Sequence, residues 1–276
     1  MNVAVIIPTY NEVENLAWIV GRVRSSVPEA TVLVVDDGSP DGTGELADEL
    51  AAADSFVRVL HRTSKDGLGA AYRAGMRLAL SEGHDVVVEM DADGSHRPEQ
   101  LPDLLKALDH ADVVVGSRWV PGGGVVDWPL SRRILSRGGS IYARLALGIH
   151  VRDMTGGYRV FTARAVQRID LDSVLSQGYC FQIDMLRHAN AEGLRIVEVP
   201  ITFAERERGT SKMSLGIVAE AMLRVTGWAV ASIPARLRPR KHVVDEAPAT
   251  APSAVVAPSA VVPVAPAPAS PARVGR

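Results

Sequence analysis

Three clusters of polar residues follow short valine-rich runs, and each carries groups suited to phosphate, ribose or cation binding. They are Pro8-Thr9-Tyr10-Asn11-Glu12, Asp36-Asp37-Gly38-Ser39-Pro40-Asp41-Gly42 and Asp91-Ala92-Asp93-Gly94-Ser95-His96. Asp91 and Asp93 are the sharpest of these. Residues at i and i+2 leaving a strand project to the same side, and two carboxylates held together repel unless a cation sits between them. Oxygen ligands without His or Cys favour Mg²⁺ or Mn²⁺. A Mg²⁺ held by one or two carboxylates fills its shell with water and substrate phosphate. The pair therefore points to a metal–diphosphate site. Asp37 offers acceptors for a base or ribose, Tyr10 a ring face and a hydroxyl, and Glu12 a carboxylate. The same residue types also make turns and helix caps, so each cluster alone fits a turn equally well. Three of them at one edge exceed what turns require.

The elements that must position these clusters alternate. Val3–Ile7, Thr31–Val35, Val57–Leu60, Asp85–Glu89 and Asp112–Gly116 are short apolar runs of the kind buried on both faces of a sheet. Between them Leu16, Ile19, Val20, Val23 and Val27 share one helical face. Leu68, Ala71, Tyr72, Gly75 and Met76 share another, and Leu101, Leu104, Leu105 and Leu108 a third. Strand–helix alternation predicts an α/β fold with a mostly parallel sheet covered on both sides. In such sheets ligands bind at the carboxyl ends of the strands, where the polar clusters fall. A dinucleotide site fits poorly: Gly67-Leu68-Gly69 lacks the third glycine and follows the third strand.

Composition narrows the classes. The 276 residues carry 30 basic and 32 acidic side chains, a net charge of −2, which argues against a nucleic-acid partner. A single cysteine, Cys180, excludes an intrachain disulfide or a cysteine zinc site and reads as a small buried hydrophobe. The N-terminus reads as a strand, not a signal peptide, and no transmembrane helix is expected. Residues 242–276 are rich in Ala, Val and Pro, with seven of the seventeen prolines, and predict a disordered or extended tail. Residues 215–241 hold an amphipathic stretch with Trp228, followed by Arg236, Arg238, Arg240 and Lys241. That pattern suits either a helix closing the core or contact with lipid headgroups. Ser131–Leu147 reads as a second amphipathic helix. Its apolar positions are Ile134, Leu135, Gly138, Ile141, Tyr142 and Leu145, and Arg132, Arg133 and Arg137 add charge.

The motifs PTYNE, VVDDGSPDGT, GLGAA and MDADGSHRPE, in this order, resemble the inverting glycosyltransferases of family 2, which have a GT-A fold. The stretches GSRW (Gly116–Trp119), WPLSRRILSRGG (Trp128–Gly139), DMTGGYR (Asp153–Arg159), GYCFQIDM (Gly178–Met185) and ERERGTSKMS (Glu205–Ser214) resemble the polyprenol-phosphate, or dolichol-phosphate, mannose synthases. The resemblance spans about residues 2 to 215 and implies a catalytic domain over 1–214.

It also implies an activity: metal-dependent transfer of mannose from GDP-mannose to a polyprenyl phosphate, with another sugar such as glucose as the alternative. Donor contacts would fall on Pro8, Tyr10, Glu12, Val35, Asp37, Asp91, Ala92, Arg206 and Lys212. Asp91, Asp93 and Ser95 would hold Mg²⁺ or Mn²⁺, although Ser95 stands where many relatives carry Gln. Arg118, Arg132 and Ser136 would contact the acceptor phosphate. Asp184 would orient Arg118 or the sugar, or stabilise its own helix N-terminus, and Gln182 would serve the acceptor side. Asp153 and Tyr158 would shape the acceptor loop. The expected setting is peripheral, at the cytoplasmic face of a membrane, beside a membrane-embedded partner protein.

Overall fold

The fold is given by a computed structural model that describes residues 1–174, 176, 178–205 and 221–231. The chain divides into units Met1–Leu237 and Arg238–Arg276, and the second lies outside the described residues, as does the expected tail. In chain order the elements are β1 (Val3–Thr9), α1 (Val13–Ser26), β2 (Thr31–Asp36), α2 (Thr43–Ala53), β3 (Val57–His61), α3 (Leu68–Ser81), β4 (Val86–Glu89) and α4 (Leu101–Ala107). Then come β5 (Val113–Ser117), β6 (Gly124–Val125), α5 (Leu130–Leu147), β7 (Arg159–Thr162), α6 (Ala163–Ile169), α7 (Tyr179–Ala191), β8 (Ile196–Pro200) and β9 (Thr202–Phe203). Residues 221–231 are helical.

Seven strands form one sheet in the order β3-β2-β1-β4-β7-β5-β8, and β6 pairs with β9 apart from it. β1, β2, β3 and β4 are parallel, as are β5 and β8. β7 runs antiparallel between β4 and β5. The expected mostly parallel sheet is present, and the five predicted strands lie where the valine runs placed them. β7 was not foreseen. Its Arg-Val-Phe-Thr run is short, and only its pairing with β4 and β5 makes it a strand.

Alternation along β1 divides the core. Val5 and Ile7 face α1 residues such as Leu16 and Ile19. Ala4 and Ile6 face Ala71, Tyr72 and Met76 of α3, with Phe161 and Phe181. α3 reaches this position because Gly75 has no side chain: a Cβ there would lie 2.7 Å from Ile6 Cγ2. A third cluster packs Ala143 of α5 and Val225 against Ile183 and Leu186 of α7.

α5 departs from the usual economy of an amphipathic helix. It buries only Ser140 and Ala143, while Leu130, Ile134 and Leu145 are 69%, 64% and 68% exposed. Pro129 starts the helix, and Gly148 in the left-handed conformation ends it.

Candidate active site

A cleft of about 380 Å³ opens at the carboxyl ends of the parallel strands, lined on one side by Leu68 and Ala71 of α3 and on the other by α5. Its first wall is built from the ends of β1 and β2. The Asp37 N–H donates to the Thr9 carbonyl, continuing the β1–β2 ladder past the strands. The two neighbouring acids then part. Asp36 accepts from Ser39 N–H (3.0 Å) and hydroxyl (2.6 Å) and from Thr9 Oγ1 (3.1 Å), so it braces the turn. Asp37 lines the cleft and accepts from Arg62 at 2.5 Å. Burial raises the pKa of Asp37 and outweighs the lowering effect of Arg62. Pro8, Tyr10 and Glu12 line the same wall, and the ammonium of Lys65 lies 3.6 Å from the centre of the Tyr10 ring.

The acid pair follows β4. Asp91, Ala92, Asp93 and Ser95 all line the cleft. Tyr72 donates to Asp91 Oδ1 at 3.1 Å, and Ser95 N–H donates to Asp93 Oδ1 at 3.0 Å. The turn between them requires glycine: Gly94 has φ +76°, and a Cβ there would stand 2.6 Å from the Trp18 ring. Among the described residues no three His, Cys, Asp or Glu side chains converge. The protein thus offers two carboxylates and leaves the rest of a cation's shell to the Ser95 hydroxyl, water and phosphate. That hard, incomplete donor set fits a Mg²⁺ or Mn²⁺ carried with a diphosphate.

The opposite wall is basic. Arg118 follows β5 and is buried, its guanidinium forked onto Asp153 at 2.7 and 2.6 Å, with the Arg118 backbone N–H on the same carboxylate at 2.9 Å. Burial works to raise the Asp153 pKa, but the charge and hydrogen bonds of Arg118 prevail and hold it below the ordinary value. Arg132, on the first turn of α5, donates through one nitrogen to both oxygens of Glu205, at 2.5 and 2.7 Å, and lies over the Trp128 ring at 4.1 Å. Ser136 is one turn further along and also lines the cleft.

Beneath the cleft lies a polar layer. Glu89 and Arg159 are cross-strand neighbours of β4 and β7, and both are fully buried. Burial pushes the Glu89 carboxyl up to about 7 and the Arg159 guanidinium down to about 10. Gln182 on α7 donates to Glu89 at 2.9 Å, and its carbonyl accepts from Arg159 at 2.5 Å. His96 is buried against Tyr158, with ring centres 4.9 Å apart, and burial lowers its pKa.

Pro8, Tyr10, Glu12, Asp37, Asp91, Ala92, Asp93, Ser95, Arg118, Arg132 and Ser136 thus meet in one cleft. Val35 does not line it: its side chain is buried under α3, although its carbonyl accepts from Thr9 of the cleft wall. Arg206 and Lys212 lie outside the described residues, as do residues 215–220 and the basic run from Arg236 to Lys241. Asp184 does not orient Arg118. It is held by Ser176 at 2.8 Å and Arg187 at 2.8 Å, and Asp153 takes that part. Lys65, Trp128 and Tyr142 line the cleft without having been singled out as binding residues. Lys65 had a legible signal: Ser64-Lys65-Asp66-Gly67 is a fourth polar run after a strand, at the same edge.

The sequence matches the model of glycosyl transferase family 2 over residues 4–170. The chain belongs to this family. It is 59% identical over 232 residues to an undecaprenyl-phosphate mannosyltransferase of Micrococcus luteus, covering 84% of this chain and 96% of that one. It is 57% identical over 228 residues to a polyprenol monophosphomannose synthase of Mycolicibacterium smegmatis, covering 82% and 86%. Among solved structures it resembles glucosyl-3-phosphoglycerate synthase of Mycobacterium tuberculosis, crystallised with Mn²⁺, UDP and glucosyl-3-phosphoglycerate. The TM-score is 0.58 at 20% identity, over 84% of this chain and 79% of that one. That likeness establishes the GT-A type of fold.

Proposed function

We propose that this family 2 glycosyltransferase moves mannose from GDP-mannose to the phosphate of a polyprenyl lipid, with inversion at the anomeric carbon and a divalent cation. The observation that carries the reading is the placement of one acid pair, Asp91 and Asp93, opposite two arginines, Arg118 and Arg132, across a single cleft. The names of the two close relatives give the sugar and the lipid class.

Each wall then has a task. Tyr10, Glu12 and Asp37 hold the nucleoside, and Lys65 adds positive charge beside them. Asp91 and Asp93, with Ser95, hold the cation, which when bound neutralises charge developing on the leaving diphosphate. Arg206 and Lys212 complete the diphosphate contacts. Arg118, Arg132 and Ser136 hold the acceptor phosphate on the far side of the hexose. Fixed by Asp153, Arg118 presents its charge without reorganising. A phosphate monoester has a second pKa near 6, so at neutral pH it attacks as the dianion and needs no dedicated base. The transition state is oxocarbenium-like, positive at the sugar between two anions.

α5 suits a lipid substrate. It carries Arg132, Arg133, Arg137 and Arg144 and no acidic residue, and its Leu130, Ile134 and Leu145 are exposed. Arginine among exposed apolar residues fits an anionic bilayer surface. Among the described residues no helix is long and apolar enough to cross a membrane. On the strength of the exposed α5 face we propose peripheral attachment at the cytoplasmic membrane face, beside a membrane-embedded partner, with residues 215–241 adding contact. The direct test is incubation with GDP-[¹⁴C]mannose, a polyprenyl phosphate and Mg²⁺ or Mn²⁺, followed by lipid extraction. Label in the organic phase is the expected result. Label from UDP-glucose but not GDP-mannose would replace the sugar.

A further inference from the structure

Trp128 stands beside both arginines of the basic wall. The guanidinium carbon of Arg132 lies over its ring, 4.1 Å from the centre, and that of Arg118 lies 5.5 Å from the same centre. All three residues line the cleft. A cation near an indole face is attracted by the ring's π electrons, and the attraction grows when both groups are withdrawn from water. Trp128 and Arg118 are both buried.

The ring is not placed as a core residue is. None of the three apolar clusters includes it. Its buried Nε1 has no hydrogen-bond partner among the described residues, where a buried indole N–H usually finds one. What places the ring is the small separate sheet. Gly124 and Val125 of β6 pair with Thr202 and Phe203 of β9, and the Val126 N–H donates to the Phe203 carbonyl at 2.9 Å. Asp127, in the left-handed conformation with φ 59°, then turns the chain into Trp128. Phe203 meets Trp128 edge to face, with ring centres 5.3 Å apart. The segment that leaves β9 carries Glu205, the carboxylate that holds Arg132. The two-stranded sheet thus brings to the basic wall a ring for both arginines and an acid for one of them.

We propose that Trp128 is a positioning residue for the acceptor phosphate: its indole ring joins Arg118 and Arg132 into one anion site, with β6 and β9 as its scaffold. The π electrons offset part of the repulsion between the two guanidinium groups before any phosphate binds. The inference rests on the reading above, in which these arginines hold the lipid phosphate, and adds the residue that sets them.

The test replaces Trp128 by tryptophans of increasing ring fluorination, which withdraw π-electron density and leave the shape of the side chain nearly unchanged. Two quantities are read across the series. One is the Kd of a short, water-soluble polyprenyl phosphate; the other is KM for that acceptor against KM for GDP-mannose. Acceptor binding and acceptor KM should worsen stepwise, by at least about tenfold at the highest fluorination, with KM for GDP-mannose held within about twofold. Trp128→Leu should lose at least as much acceptor affinity as the most fluorinated ring. A flat series overturns the proposal whatever Trp128→Leu does, because packing alone then accounts for the ring. An equal loss on the donor side overturns it too, as a general disturbance of the cleft. If the series weakens phosphate binding but no label passes from GDP-mannose, the anion site stands and the choice of sugar falls. If transfer proceeds and the series is flat, the proposal falls alone. Failure of the wild type to bind the polyprenyl phosphate takes down both.

Discussion

α3 and α5 flank the same cleft, and both are amphipathic, but they use their apolar faces in opposite ways. α3 turns Ala71, Tyr72, Gly75, Met76 and Ala79 into the core. α5 turns Ser140 and Ala143 inward and leaves Leu130, Ile134 and Leu145 outside. The first helix serves the wall proposed for the nucleotide, and its apolar surface is packed against the sheet. The second serves the wall proposed for a lipid phosphate, and Leu130, Ile134 and Leu145 on it are exposed. Helical periodicity reports that a face exists. It does not report what covers it.

The largest expected effect removes one carboxylate of the acid pair proposed to hold the cation. Asp93→Ala should lower kcat by at least about 10³-fold with the thermal midpoint retained, scored as label in the lipid extract. Turnover within about tenfold of wild type would take the acid pair out of the mechanism.

Next, Asp153→Asn should strip the α5 wall of its brace. Arg118 would lose its buried carboxylate partner, at a cost of about 3–5 kcal/mol in denaturant unfolding. The sign of the pH effect follows. The folded pKa of Asp153 is depressed, so its stabilisation is full above the ordinary carboxylate pKa of about 4 and is lost as pH falls through the folded value. The variant should lack that acid limb of the stability curve. An unchanged limb would mean that other carboxylates set it.

A smaller effect tests α3. Gly75→Val adds atoms where a Cβ already lies 2.7 Å from Ile6 and 3.1 Å from Val35, and should destabilise by about 1–3 kcal/mol. Wild-type stability would mean that α3 can lift off the sheet without cost.

The smallest effect on stability sharpens the contrast from the other side. Ile134→Ser should change unfolding by less than about 0.5 kcal/mol but weaken binding to anionic vesicles about tenfold, the cost of one partly inserted apolar side chain. Destabilisation near that of Gly75→Val would show that protein, not lipid, covers the face.

Much of the donor wall was legible before any coordinates. The strands are valine runs, and Asp91 and Asp93 follow one strand end two residues apart, and both line the cleft. Choosing Asp37 over Asp36 was also within reach, because the residue past the strand end faces the cleft. The basic wall was legible in its residue types but not in its connections. Asp184 was expected to orient Arg118 or the sugar, or to stabilise its own helix N-terminus, and the residue that holds Arg118 is Asp153. Val35 looked like a donor contact and is core, its side chain packed under α3. The Glu89–Gln182 contact joins residues 93 apart in the chain, and no local pattern announces it.

The sequence by itself determined the α/β alternation, the strand ends, the acid pair and the presence of arginines after the fifth strand, because these rest on spacing along a chain of fixed geometry. Only the tertiary structure decided that β7 inserts antiparallel beside β4, that Asp153 holds Arg118, and that Leu130, Ile134 and Leu145 of α5 are exposed. Those outcomes depend on which distant surfaces bury one another most favourably. That choice is a sum over the whole packed molecule, and no single segment carries it.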